Sequence, residues 1–333
     1  MVNIPRSFYS SSLLLSGGTG PFGLAVLSHL DRFKARGEIY ILSRKEEKVL
    51  KLINLFPNLN IRYIYYDFLK HSWYQIRLLP SCDFVLHMAS VTAEESFNRI
   101  DPYEKYLVLQ KGAAFLLDYC QTYKVKSVVF TSTGAIYGEY SGFNNIKETE
   151  LLKVMIDDPE RYSLIMGKLA AEFTVAYISK YTATKAKIAR CFGICGPGIP
   201  TDLHYAIGNF AKQALEGNEI IVKSDGQAVR SFMDTRDLAT WLVSLLSVDM
   251  PDLIYNVGSD EAVKIRDLAK MMVDISGSKG SYRIEGRIND RLSNPQVSYY
   301  VPSIAKARGD GLDLQYGLAE SIKMYLSWLE LRS

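Results

Sequence analysis

Short apolar runs alternate with stretches of helical rhythm along the first half of this chain. Residues 1–10 read as a short arm free to fray. Ser11–Ser16 reads as a first strand that runs into a glycine-rich turn. From Pro21 to Lys34, apolar residues recur at Phe22, Ala25, Val26, Leu27, Leu30 and Phe33, the spacing of a helix with one buried face. Further strands are predicted at Glu38–Leu42, Ile61–Tyr66, Asp83–Met88 and Ser127–Thr131, with a long helical stretch over Asp101–Tyr123. The strands are almost continuously apolar, as burial on both faces requires. Their alternation with helices makes the sheet parallel, so the fold class is α/β and doubly wound. No internal repeat or low-complexity linker interrupts the pattern.

The turn after the first strand carries the first chemical signal. Gly17, Gly20 and Gly23 are spaced as G-x-x-G-x-x-G. The first glycine allows a tight turn off the strand, and the second lets a pyrophosphate approach the backbone. The third lets the next helix pack close to the sheet with its N-terminus toward the phosphates. This predicts dinucleotide binding, against the plainer reading of a glycine turn without a ligand. At the end of the second strand stand Ser43, Arg44 and Lys45, where an acidic residue would accept the ribose hydroxyls of NAD. A hydroxyl followed by two cations suits a 2′-phosphate, so NADP is favoured and NAD is the alternative.

Composition narrows the class without changing the fold. The chain has 333 residues, 48% hydrophobic and 23% charged, an ordinary globular balance. A formal net charge of +3 does not call for nucleic acid. Cys82, Cys120, Cys191 and Cys195 form no metal-ligand or disulfide pattern and read as buried thiols of a reducing cytosol. No apolar run reaches the roughly 18–20 residues of a membrane span, and the start lacks a signal-peptide pattern. A cytoplasmic protein with no metal, nucleic-acid or membrane partner is the expectation.

Six segments in chain order resemble a family. They are Gly17–Gly23, Asp83-Phe-Val-Leu-His87-Met-Ala89, Phe130-Thr-Ser-Thr133-Gly-Ala-Ile-Tyr137-Gly138, Gly196-Pro-Gly198, Arg230-Ser-Phe-Met-Asp-Thr-Arg-Asp237-Leu-Ala and Tyr255-Asn-Val-Gly258. Together they resemble the extended short-chain dehydrogenase/reductases, specifically the NAD-dependent epimerase/dehydratase group that modifies nucleotide sugars. The resemblance spans nearly the whole chain. It implies a Rossmann dinucleotide-binding domain of residues 1–190 plus 229–258. A smaller C-terminal α/β domain, residues 191–228 plus 259–333, would bind the nucleotide-diphosphate sugar. It also implies a homodimer through helices near 101–123 and 163–180.

Residue by residue, the resemblance implies cofactor contacts at Gly17, Gly20, Pro21, Phe22 and Gly23 in the turn, and at Ser43 and Arg44 beyond the second strand. Asp67, Phe68, Met88, Ala89 and Ser90 follow the next strand ends, and Ser132, Lys168 and Ile194 complete that set. Substrate contacts fall at Thr92, Thr133, His204, Asn209, Arg230 and Arg291, the two arginines as candidate grips on the diphosphate. The family's reaction begins with hydride transfer from a sugar carbon to the nicotinamide while a tyrosine removes the hydroxyl proton. A lysine four residues later favours the charged tyrosine, whose ordinary pKa near 10 makes a poor base at neutral pH. Thr133 matches the family's active-site hydroxyl and Lys168, in Gly-Lys-Leu-Ala-Ala-Glu, the lysine.

The tyrosine departs from the pattern. Leu164 stands four residues before Lys168, and the nearest tyrosine, Tyr162, stands six before. Six helical residues rotate about 240°, onto another face. Asp158-Pro159-Glu160 is a good helix start and would place Tyr162 inside the helix, off-face. Ser163 is a competing N-cap that would leave Tyr162 in a loop, free to reach the nicotinamide. Either Tyr162 is a displaced base or the base is absent. The family's asparagine three residues before Gly112 is replaced by Leu109.

Family members that remove water carry an acid just after the active-site threonine. Gly134-Ala135 stand here, with Glu139 nearby but off the matching position. An NAD(P)-dependent nucleotide-sugar epimerase or ketoreductase is therefore favoured over a 4,6-dehydratase. A non-catalytic NAD(P)-binding protein is the alternative raised by the broken tyrosine–lysine motif. An RNA-binding relative is disfavoured, because no basic stripe is interleaved with aromatics.

Overall fold

The computed structural model describes residues 3–91, 100–138, 144–154, 156–202, 205–277, 280–286 and 298–332. Its centre is a seven-stranded sheet of β1 (Leu13–Ser16), β2 (Glu38–Ser43), β3 (Asn60–Tyr65), β4 (Phe84–His87), β5 (Ser127–Thr133), β6 (Lys185–Cys191) and β7 (Ile254–Val257). The order is β3-β2-β1-β4-β5-β6-β7, and every pairing is parallel. The chain leaves β1 toward β2 on one side and later returns to β4 on the other. This reversal opens a crevice above the carboxyl end of β1, where open parallel sheets bind ligands.

The β1 side chains show why the sheet is covered twice. Leu13 and Leu15 join a core with Val26, Leu27 and Leu30 of α1 (Pro21–Arg32), while Leu14 joins the opposite core with Val85, Val128 and Phe130. Each of the three leucines is at most 3% exposed, which contributes about 1.5–3 kcal/mol per side chain. After α2 (Glu46–Leu55), the opposite core is closed by α3 (Pro102–Thr122) and α4 (Pro159–Tyr181), which pack along each other. A separate core gathers α5 (Ala206–Leu215), α7 (Ile265–Ser276) and α8 (Leu318–Glu330) around Phe210, Leu268 and Tyr325. Between α5 and α7 in the chain, α6 (Thr235–Ser247) packs on α1. A small sheet joins Val229–Arg230 to Val263–Lys264 and, in parallel, to Tyr299–Tyr300.

Several predicted boundaries move for local reasons. The first strand begins at Leu13, because Ser11 ends a 3-10 turn over Arg6–Ser10 and Ser12 is held by Asp83. Its N–H and Oγ both donate to the Asp83 carboxylate at 3.0 Å. The arm is also packed rather than frayed: Phe8 is buried, and Tyr9 stacks on Phe33 with ring centroids 5.3 Å apart. The fifth strand extends to Thr133, held by register with β6 through Cys191. The long helix over 101–123 is observed as α3, capped by the Asp101 carboxylate.

Gly23 is the tightest of the three turn glycines. A Cβ there would lie 2.1 Å from the Gly18 carbonyl oxygen, backbone that cannot swing aside. Gly23→Ala is expected to lower stability by roughly 1–3 kcal/mol. Urea unfolding of the two proteins measures it.

Candidate active site

The site begins where β1 meets β4. Gly17 has φ +73°, and a Cβ on it would lie 2.6 Å from the Met88 carbonyl carbon and 2.7 Å from the Ala89 nitrogen. Only glycine lets the two strand ends lie this close. Gly20 differs. Its φ of −91° and ψ of −178° are open to any residue, and its nearest neighbour is 3.6 Å away, the Gly17 carbonyl oxygen. Protein packing therefore does not ask for glycine at position 20, whereas a pyrophosphate against the backbone does. The helix that starts at Pro21 has no side-chain cap and no acid in its first turn, which leaves its N-terminal N–H groups and dipole for an anion. These features fit a dinucleotide cofactor.

The other expected cofactor residues surround the same end of the sheet. Met88, Ala89 and Ser90 follow β4, and Ser132 lies near the end of β5 with its Oγ buried and without a hydrogen-bond partner. Asp67 accepts the Leu69 N–H at 3.1 Å, forming the turn that carries Phe68. Ser43 Oγ accepts the Lys45 N–H at 3.0 Å just past β2, with Arg44 exposed beside it. Ile194 follows β6 in a two-residue strand paired with Met233–Asp234. Ser16 and His87, which the sequence left without roles, brace the crevice floor through a 2.7 Å hydrogen bond between Ser16 Oγ and His87 Nδ1. Burial, with Lys168 adding to it, pulls His87 down to about 3, so the ring is neutral.

Lys168 points into the same region from α4. Its Nζ donates to the Thr131 carbonyl at 2.6 Å and lies 4.7 Å from the centre of the Phe130 ring. It is 5% exposed, and burial draws its pKa down to about 8 against the pull of Cys191 and Glu172. One turn further along α4, Glu172 holds Arg190 of β6 through a bidentate pair at 2.7 and 3.1 Å. Arg190 also donates to the Tyr137 hydroxyl at 2.9 Å, and Tyr137 donates to Asn256 of β7 at 2.8 Å. This buried network ties α4 to β6 and β7, and so fixes where Lys168 stands.

Thr133 ends β5 and accepts the Ala135 N–H at 3.2 Å, which leaves its hydroxyl proton free to donate outward. A Cβ on Gly134 would lie 2.5 Å from the Phe192 ring. The ring fills the space that a side chain at position 134 would need. Leu109, in place of the family's asparagine, packs on Gly167, and Gln110 beside it donates to the Gly167 carbonyl at 3.0 Å.

The Ser163 start for α4 is not realised. Pro159 takes the first helical position, and the Asp158 carboxylate accepts the Arg161 N–H at 3.1 Å. That cap removes the orphan N–H groups Ser163 would have served. Ser163 lies inside the helix with its Oγ buried and unpartnered. Tyr162 is helical too, its N–H bonded to the Asp158 carbonyl at 3.0 Å and its ring under the Arg161 guanidinium at 5.3 Å. The late helix start that would free Tyr162 toward Lys168 is absent.

The sequence reading passed over another tyrosine, in the small sheet. Tyr300 is the register partner of Arg230 in the small sheet. Its ring packs on Phe192 at 4.6 Å between centroids, and the Arg230 guanidinium lies 6.0 Å over it. Burial holds its hydroxyl above the ordinary tyrosine range, opposed by the Thr133 side chain and by the Arg230 charge. Arg230 is pinned along the same strands, donating to the carbonyls of Val229 at 2.8 Å and Ser298 at 2.9 Å. Asn209 is half-buried on α5. Thr92, His204, Arg291 and Glu139 lie outside the described residues.

A family model described as the NAD dependent epimerase/dehydratase family matches residues 13–258, and the chain belongs to that family. An uncharacterised UDP-glucose epimerase of Bacillus subtilis is 26% identical over 83% of this chain and 85% of its own length. A dTDP-D-glucose 4,6-dehydratase of Dictyostelium discoideum is 23% identical over the same share of this chain, which spans 64% of that protein. Among solved structures, a Thermotoga maritima UDP-glucose 4-epimerase with UDP-glucose has a TM-score of 0.78 at 20% identity, covering 96% of this chain and 99% of that one. A Bacillus cereus UDP-glucuronic acid 4-epimerase in complex with UDP-glucuronic acid and NAD scores 0.77 at 20% identity, covering 97% and 100%. At these identities the structures speak for the fold.

Lys168→Met tests the buried ammonium. Lys168 releases its proton near pH 8 in the folded chain and near 10.5 in the unfolded one. Between those values the unfolded chain binds more protons, so wild-type stability rises with pH. Below about pH 8 the wild type carries the whole cost of the buried charge, and by 10.5 none of it. The variant is expected to match or exceed wild-type stability at neutral pH and to lose that advantage toward pH 10.5. Denaturant unfolding at the two ends of this window measures the difference.

Proposed function

We propose that this chain is an NAD(P)-dependent nucleotide-sugar epimerase or ketoreductase. The carrying observation is the convergence of Lys168 and Thr133 on the carboxyl end of β5, beside a glycine turn whose Gly20 packing alone does not explain. When bound, the nicotinamide supplies hydride acceptance or donation at a sugar carbon. The chain's part is to hold and orient: the Gly17–Gly23 turn takes the pyrophosphate, and Thr133 hydrogen-bonds the reacting sugar oxygen. Lys168 exchanges its Thr131 carbonyl for the nicotinamide ribose, and Arg230, in the 229–258 stretch of the dinucleotide-binding part, grips the diphosphate of a sugar held by residues 191–228 plus 259–333. The Phe192 ring against Gly134 supports this reading over a 4,6-dehydratase, because no acid fits there to protonate a leaving hydroxyl.

The pairing of α3 with α4 supports a homodimer through these helices, since Tyr103, Phe173 and Tyr177 leave apolar surface exposed along them. The four cysteines are all buried and unpaired, which suits a reducing cytoplasm.

The activity is tested by incubating the protein with UDP-, dTDP- and GDP-hexoses and their keto forms. Sugar conversion and reduced-nicotinamide absorbance are followed together. Epimerisation converts the sugar with no net absorbance change, whereas keto reduction consumes reduced cofactor. Arg230→Ala is expected to weaken nucleotide-sugar binding by the roughly 1.5–3 kcal/mol of one charged hydrogen-bonding group while sparing the cofactor. Unchanged sugar-nucleotide affinity in a folded variant removes Arg230 from the site.

We also propose a preference for NADP, supported by Ser43, Arg44 and Lys45 where an acid would select NAD. Arg44→Ala should lower NADP affinity by about tenfold and leave NAD affinity unchanged. Titration of both dinucleotides decides it: tighter NAD binding, indifferent to the substitution, ends the NADP preference.

A further inference from the structure

The site has an ammonium and a hydroxyl but no phenol at the helical position that normally completes them. Leu164 is there, and Tyr162 is bound into the first turn of α4. We propose that Tyr300, from the C-terminal strand beside Arg230, is the proton-donating catalytic residue, and that the substrate it serves is a keto-hexose nucleotide undergoing reduction. This rests on the nucleotide-sugar reading above and narrows it to the ketoreductase branch.

Three contacts place the Tyr300 ring. Phe192 lies against Gly134, the residue after Thr133, and Tyr300 packs on Phe192. Arg230 covers the ring from the paired strand. The segment is tied down on its far side, where Val301 accepts the Ile146 N–H at 2.8 Å and the Tyr299 hydroxyl donates to Asn145 at 2.6 Å. Tyr300 is thus held beside Thr133 by strands and stacking, independently of α4.

The hydrogen-bond polarity also fits. Thr133 Oγ1 already accepts the Ala135 N–H, so its own proton is kept for the substrate oxygen, and its side chain also bears on the Tyr300 hydroxyl. The Tyr300 proton is then free to donate to a substrate oxygen. Burial keeps this phenol protonated at neutral pH, which suits donation and opposes proton removal from a sugar alcohol. In the reduction, hydride from reduced nicotinamide bonds to the carbonyl carbon, and the π pair moves to oxygen. That oxygen takes the Tyr300 proton. The phenolate left behind faces Arg230 and regains a proton from solvent, while the oxidised dinucleotide leaves.

The experiment follows oxidation of NADPH and NADH with keto-hexose nucleotides by the wild type, Tyr300→Phe, Tyr162→Phe and Tyr299→Phe. Each variant's melting temperature and cofactor dissociation constant are measured alongside. Tyr300→Phe keeps the stacked ring, so it should fold and bind cofactor within about twofold of wild type. Its kcat should fall about 10²–10⁴-fold. Tyr299→Phe, which loses the bond to Asn145, should keep its turnover and so exclude loosening of the strand as the cause. Adding Leu164→Tyr to Tyr300→Phe should restore part of the activity by returning a phenol to the helix. Turnover in Tyr300→Phe within about threefold of wild type overturns the assignment, as does a loss in Tyr162→Phe alone. A wild type inert toward every keto-hexose nucleotide, alongside active epimerisation, overturns the ketoreductase branch and Tyr300's donor role. Inertness toward sugars of both kinds overturns the underlying function as well.

Discussion

The Lys168 ammonium is buried in the middle of the fold, and the carboxyl end of the sheet is built around making that tolerable. A charged amine out of water costs several kcal/mol unless polar groups replace its solvent. Here the Thr131 carbonyl, the face of Phe130 and the Glu172 charge one turn along α4 replace it in part. The replacement is incomplete, and the lowered pKa is the measure of what remains. On the proposed reading, this amine, titrating at about 8 and bonded to a backbone carbonyl, exchanges that oxygen for one of the nicotinamide ribose. The Glu172–Arg190–Tyr137–Asn256 network serves this end, because it locks α4 against β6 and β7 and so fixes the depth of the amine. Removing any one member would leave a buried charge or hydroxyl without its partner.

The parts of this arrangement that depend on near neighbours in sequence were legible before folding. Gly17 and Gly23 reflect turn geometry decided within ten residues, and the structure gives each a backbone contact that no side chain survives. The strands alternate with helices as their apolar runs predict, and the sheet order follows. Boundaries slipped by one or two residues, as where Ser12 is held by Asp83. The choice between two starts for α4 could not be read from sequence, since Asp158 with Pro159 and Ser163 are both good caps. Capping energies differ by little, and the buried face running through Gly167, Lys168, Ala171 and Glu172 fixes the helix whichever cap is used.

Contacts between distant segments were not legible, for a physical reason. Nothing around Tyr300 marks it: it sits in an unremarkable polar–apolar stretch, 167 residues beyond Thr133 in the chain. Its placement follows from a two-residue strand pairing with Val229–Arg230 and a ring stacked on Phe192. Strands this short leave no periodicity. The Phe192 ring against Gly134 is equally silent in sequence, although the missing acid after Thr133 hinted that the space was otherwise used.

The route by which a phenol reaches the site changes what holds it. When tyrosine and lysine share one helix face, their separation is set by the helix and is indifferent to the rest of the protein. Tyr300 has no such bond to Lys168. It is instead the register partner of Arg230, so one strand pair sets both the phenol beside Thr133 and the guanidinium offered to a diphosphate. A shift of that pair by one residue would turn both side chains to the opposite face of the small sheet. The pairing is backed by Arg230 itself, which donates to the carbonyls of Val229 and Ser298 and to the Ser298 hydroxyl. The residue suited to grip the substrate's phosphates therefore also maintains the strand that carries the phenol. On the proposed roles of Arg230 and Tyr300, recognition of the nucleotide end and completion of the reactive end are mechanically joined, where a helix-borne tyrosine would keep them separate.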